Sequence, residues 1–374
     1  MTDPSVISLF YPFRSEAMEK AALGAIRSGR IASGPSIERF ERLLAAEIQR
    51  DHVVATSDMT TALTLSLRAV GVRPGQSVAA LAFACLSTNA AISMVGAVPQ
   101  WLDVDPRTVS MCPEYLRRHL TSETAAVVLY HVAGYPADTE AIASVCREKG
   151  VPLIEDCDNA LGARYLDRPV GQHGDFAVYS FYPNRQINAL DGGAVACMDS
   201  GAAERLRCLR RFGIHQASFR GKDGEINPAS RIDEIGISAG MSEIHATVGC
   251  TQFEDLASRL MQTRANADYL SERLCDLRGV RIVCRVPGAL PAHWGLLVMA
   301  ADQARLLSEL KTSGIDCSKL HLRNDIYAGF NAKSAYLPGT DSVSAELMAL
   351  PCGWWLDRAQ LDRIVSVVRR AVGA

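Results

Sequence analysis

Short apolar runs recur along the first part of the chain, at 53–55, 78–83, 100–104, 126–130, 151–155, 176–180 and 193–198. Stretches with apolar residues at helical spacing lie among them, 37–48 and 61–70 being the clearest. Apolar strands alternating with helical patterns predict a mainly parallel sheet covered on both faces. From about 212 to 235 the rhythm breaks into a polar loop containing GKDGEINPAS, and a long helix is expected over 241–274. Strand-like runs at 280–286 and 295–299, a helix at 302–312 and a last amphipathic helix at 358–371 then make a smaller unit. We therefore expect a large domain with the central sheet over 1–250 and a small C-terminal α/β domain over 251–374.

The apolar stretch 78–98 raises the question of a membrane span, since no charged residue occurs between Arg73 and Asp103. Ser87, Thr88 and Asn89 fall in its middle, where they suit a helix N-cap after a buried strand better than the centre of a bilayer. With 374 residues, 48% hydrophobic and 21% charged, the chain can bury a large core. Its net charge of -2 offers no general attraction to nucleic acid or anionic lipid, so a small molecule is the expected partner. The 11 cysteines are dispersed without a C-x-x-C pair, which fits reduced thiols. The opening MTDPSVISLFYPF lacks the basic and apolar regions of a secretory signal, so a cytoplasmic location is expected.

The strongest local cluster is IEDCDNALGARY at 154–165, an apolar strand ending in Glu155 and Asp156. Ligands bind at strand C-termini in open α/β sheets, but an Asp there also caps a following helix. Taken alone, the segment favours capping. Two more segments change the balance: SDMTTALTLSL, a Thr-rich turn opening a helix, and YSFYPNRQINALDGG, a strand followed by a long loop. With SGRIASGPSIERFE, GAVPQWLDVD and HVAGYPADTEAI, these segments in this order resemble the nucleotide-sugar aminotransferases of the DegT/StrS type. The resemblance runs from about Phe13 to the final helix. It implies a fold-type I aminotransferase-like α/β fold, a pyridoxal-phosphate site and a homodimer.

Residue by residue, the resemblance puts Asp156 beside the pyridine nitrogen, where a carboxylate keeps the ring protonated and electron-accepting. Thr60, at a helix N-terminus, and Ser180 would hold the phosphate. Phe83 would stack on the ring, Asn159 would lie beside it, and Ser238 falls where the partner subunit's asparagine reaches the site. His321, Arg323 and Asn324 fall where relatives face the substrate, and an Arg suits diphosphate recognition.

The largest departure is at Arg185, where the family carries the lysine that forms the Schiff base. A guanidinium is delocalised and stays protonated, so it makes neither an imine nor a proton shuttle near neutral pH. Met59 replaces the glycine of the phosphate turn, Ser238 and Gly240 replace an Asn and an Arg, and Asp158 stands where the family prefers a small residue. His131, His293 and His215 are candidates for a replacement base, His131 foremost, and Lys222 is the lysine most suspected of reaching a site. Three readings remain open. The first is lysine-independent chemistry on a sugar or related metabolite with noncovalent pyridoxamine or pyridoxal phosphate. The second is a cofactor-independent enzyme reusing the cleft, and the third a non-catalytic partner of an active aminotransferase.

Overall fold

A computed structural model describes residues 6–373. The first residues of the segment read for a secretory signal lie outside that range. Seven strands form the central sheet: β1 (His52–Thr56), β2 (Ser77–Leu81), β3 (Val98–Leu102), β4 (Thr124–Tyr130), β5 (Leu153–Asp156), β6 (Phe176–Ser180) and β7 (Gly193–Cys197). Their order is β1-β7-β6-β5-β4-β2-β3, and only β7 runs antiparallel to its neighbours. All five residues of β6 and of β7 are buried, because helices cover both faces. That double burial is why these strands read as continuous apolar runs without alternation.

The apolar stretch at 78–98 lies across β2, the helix Leu86–Met94 and the start of β3. Among the described residues no helix is long and apolar enough to cross a membrane. The helix expected over 241–274 is instead two helices, Glu243–Cys250 and Phe253–Leu274. Ser242 caps the first, accepting from the His245 N–H at 3.4 Å. The second belongs to two cores: Leu256 and Leu260 pack with the central sheet, while Ala267, Leu270 and Leu274 pack with β8 (Val280–Ile282), β9 (Leu296–Ala300) and β10 (Leu347–Leu350). These three strands form an antiparallel sheet, and Ile7 near the N-terminus joins its core. The final helix Arg358–Val372 seals that core with Leu361, Ile364 and Val368.

Two elements lie outside the runs named from the sequence. Helix Glu16–Ser28 buries only Met18 and Ala25, and is marked instead by its Ser15 cap and by Gly29 at φ 73°. Strand β10 is only four residues long.

Candidate active site

Parallel β5 lies in the middle of the sheet, and its last residue, Asp156, is in register with Tyr130 of β4 and Val178 of β6. Alternation along the strand sends Asp156 and Glu155 to opposite faces. Asp156 is fully buried. Its Oδ2 accepts from the Thr88 hydroxyl at 2.6 Å and its Oδ1 from the Asp158 N–H at 3.0 Å. Burial, and then the Asp158 carboxylate, push this acid up to about 7. It can therefore give up or take a proton near neutral pH.

Asp158 meets Arg185 through two parallel bonds, Nε to Oδ1 and Nη2 to Oδ2, both 2.8 Å. Only 11% of the Arg185 side chain and 3% of the Asp158 side chain are exposed. Burial alone would lower Arg185, but Asp158 more than reverses this and leaves it raised. The planar fork matches a carboxylate in two places, a fit a lysine could not reproduce. Asn159 donates from Nδ2 to Asp158 at 3.1 Å and to the Tyr130 hydroxyl at 3.0 Å. Tyr130 lies 3.1 Å from His321 Nε2. With Asn159 donating to the phenol oxygen, the phenol can donate its own proton to Nε2 of a neutral His321. Desolvation pulls His321 down, in the same direction. Phe83 sets its ring edge-to-face with His321 at 5.5 Å. Arg185 also lies 5.8 Å from the Trp294 ring centre, at a cleft lined by Tyr11, Trp294 and Trp354.

At the same end of the sheet, helix Met59–Ala69 begins beside Ser180. Gly193 pairs with both Ser180 and Thr56, and a Cβ on it would sit 2.3 Å from the Asp58 carbonyl oxygen and 2.7 Å from the Met59 nitrogen. Only glycine permits that approach. Thr60 is the second residue of the helix. The Ser57 N–H donates to the Ala239 oxygen at 2.8 Å, which sets the segment 238–240 beside the turn.

A carboxylate at the centre of a mainly parallel sheet, with hydroxyls and a helix N-terminus at the same edge, defines the scaffold of a fold-type I aminotransferase. The chain belongs to the DegT/DnrJ/EryC1/StrS aminotransferase family, whose profile matches residues 13–369. It is 30% identical, over 94% of this chain and 91% of the other, to dTDP-3-amino-3,4,6-trideoxy-alpha-D-glucose transaminase of Streptomyces venezuelae. It is also 30% identical to the erythromycin biosynthesis sensory transduction protein EryC1 of Saccharopolyspora erythraea, over 94% of each chain. Sugar aminotransferase CalS13 of Micromonospora echinospora has the same fold, with a TM-score of 0.92 at 28% identity, covering 97% of this chain and 99% of that one. The family is pyridoxal-phosphate dependent.

The residues of this site fit that cofactor at one end only. Asp156 suits a pyridinium nitrogen, and the buried Asn159 Oδ1 has no partner among the described residues. At the carbonyl end Arg185 offers no imine-forming nitrogen, and both arms of its fork are spent on Asp158. At the phosphate end the Asp58 carboxylate caps the helix and accepts the Thr61 N–H itself, at 2.8 Å. As a whole, the set suits the ring of this cofactor but offers no imine-forming nitrogen at residue 185.

Several expected residues lie elsewhere. His131 follows Tyr130 and so points to the opposite face of the sheet. Its Nδ1 accepts from the Ala137 N–H and its Nε2 contacts Glu155, both at 3.2 Å. It is fully buried, on the side of the sheet that Glu155 faces and away from Asp156. Glu155 is held down at about 2: burial opposes this, and His131 and the Gly174 N–H overcome it. Asn324 is also structural, donating to the Ala84 and Leu322 carbonyls and accepting from Asn89. Arg323 is bound bidentately to Asp325 and also to Asp341, which leaves it no free fork for a diphosphate. His293 is buried, bonds Tyr135 at 3.1 Å and is lowered to about 3 by burial. His215 pairs with Glu204 at 3.3 Å, away from Asp156. Ser238 and Lys222 are exposed, Ser238 lining a groove with Arg211, Phe212 and Met241. Of the substrate-side expectations, only His321 joins the cluster.

Tyr130 and Asp58 were not singled out, and Thr88, expected at a helix N-cap, lies inside helix Leu86–Met94 and donates to Asp156 instead. Tyr130 carried a weak signal as the last residue of a strand adjacent to β5. Asp58 carried a better one, an Asp three residues before Thr61 at the mouth of a helix.

Proposed function

We propose that this chain is an enzyme of the sugar-aminotransferase family that does not transaminate, and that it acts on a sugar or related small metabolite in a biosynthetic pathway without a Schiff base. The observation that carries this reading is the bidentate, largely buried pairing of Arg185 with Asp158, 2.8 Å at both contacts. It removes the nucleophilic nitrogen and places a fixed ion pair beside Asp156. Asp156 supplies a carboxyl that exchanges a proton near neutral pH, and the Asn159–Tyr130–His321 chain supplies oriented hydrogen-bond donors and acceptors. Such groups suit proton transfer at a carbon next to a carbonyl, or a dehydration, both of which need a positioned acid and base. On this reading no cofactor is required.

A second reading is favoured by Asp156 and by the unpartnered Asn159 Oδ1: noncovalent pyridoxamine or pyridoxal phosphate, with Asp156 at its ring nitrogen. Both readings take the protein as a homodimer, the groove at Ser238 and Phe212 being the face a second copy would cover. The test is amino transfer from glutamate to a keto-sugar, run alongside absorbance titration with pyridoxal and pyridoxamine phosphates. No turnover and no Schiff-base band are expected. Saturable binding of pyridoxamine phosphate without covalent capture would move the conclusion to the second reading, and sustained transamination would overturn both.

A further inference from the structure

The turn that opens helix Met59–Ala69 is filled by the Asp58 carboxylate, which is held by hydrogen bonds from within the turn. Asp58 Oδ1 accepts the Thr61 N–H at 2.8 Å, and Oδ2 accepts the Thr61 hydroxyl at 2.6 Å and the Ser57 hydroxyl at 2.8 Å. The Ser57 N–H is taken by the Ala239 carbonyl. Gly193 presses against the Asp58–Met59 peptide, and the Met59 side chain is buried in the core behind it. The positive end of the helix thus meets a fixed carboxylate, and an arriving phosphate would meet like charge there.

We propose that Asp58 is a specificity-determining residue that closes this turn to phosphate, so that the cleft discriminates against phosphate-bearing ligands independently of Arg185. The inference deepens the proposed function by naming what the site rejects, and it rests on that reading only for the identity of the turn. Asp58 acts by occupying the anion position with its own carboxylate. Serine in its place would still cap the helix but would bring no charge.

The test rebuilds the rest of the site so that binding becomes measurable. Asp158→Ala and Arg185→Lys are combined, with and without Asp58→Ser, and each protein is titrated with pyridoxal phosphate and with pyridoxal, which lacks the phosphate. Binding is read by absorbance. Asp58→Ser should raise pyridoxal phosphate affinity tenfold or more and leave pyridoxal affinity unchanged. Asp58→Asn, which also keeps the cap, serves if the serine variant melts early. Equal pyridoxal phosphate affinity with and without Asp58→Ser, including no binding by either, overturns the proposal, as does an equal gain for pyridoxal. Failure of the proposed function would appear separately, as covalent capture or transamination by the unaltered protein.

Discussion

Asp156→Asn removes a carboxylate that the fold keeps from water without a direct cationic partner. Burial and the Asp158 carboxylate raise it from 3.8 to about 7, so ionisation is opposed by on the order of 4 kcal/mol. A carboxyl whose folded-state pKa is raised favours the fold while protonated. That contribution is complete below 3.8 and is lost as pH rises through about 7. Asparagine escapes the loss and keeps the contacts: its oxygen still accepts from the Asp158 N–H, and the Thr88 hydroxyl turns to accept from Nδ2. The bonds from Thr88 and the Asp158 N–H are already part of that raised value, so the gain above neutral pH is the whole term, on the order of 4 kcal/mol. At an unfolding entropy of roughly 0.8 kcal/mol/K for 374 residues, this is a rise of about 5 °C in Tm. Calorimetry of both proteins from about pH 4 to 8.5 should give matching Tm values at the acid end and a difference that grows to a plateau beyond about pH 7. A difference independent of pH, or a variant that melts lower at about pH 8, would refute this account of Asp156.

Arg185→Ala should cost about 3–5 kcal/mol, because it strands the buried Asp158 carboxylate; urea unfolding at neutral pH checks this, and a loss under about 1 kcal/mol contradicts it. Replacing Arg185 and Asp158 together by leucines should recover most of that loss, since a buried pair offers little over apolar packing, and the same unfolding curve decides. His131→Ala should lower stability by leaving Glu155 and the Ala137 N–H without a partner, while ligand titrations stay unchanged; altered ligand affinity would return His131 to the site. Light scattering at micromolar concentration should give a dimeric mass, with Phe212, Ile235 and Ile237, all exposed in the single chain, covered in the pair; a monomer would remove the shared-site model.

The sheet strands were legible because double burial leaves them uniformly apolar, and β6 was placed residue for residue. The break at Thr251–Gln252 was not legible, since neither residue disrupts helical periodicity. Gln252 is fixed there by long-range bonds to the Asn188 N–H and carbonyl. At the site, the position of Asp156 followed from a strand ending in a carboxylate, but its partners did not. Thr88, Tyr130 and His321 are separated from it by tens to more than a hundred residues and meet it only through strand register and the return of the chain from the second sheet. The side His131 takes follows from a parity that sequence could have supplied: adjacent residues at a strand end face opposite ways, and Tyr130 is in register with Asp156 while His131 meets Glu155. The pairing of Asp158 with Arg185 lay in two departures noted separately. Only the fold brings them within 2.8 Å.

The central claim is that no nitrogen in this site forms an imine, and borohydride trapping with peptide mapping tests it most directly. The unaltered protein, incubated with pyridoxal phosphate and reduced, should carry no pyridoxyl group on any peptide lining the cleft, while Arg185→Lys combined with Asp158→Ala should carry one at residue 185. Stoichiometric modification of the unaltered protein at a lysine that reaches the cleft would contradict the account.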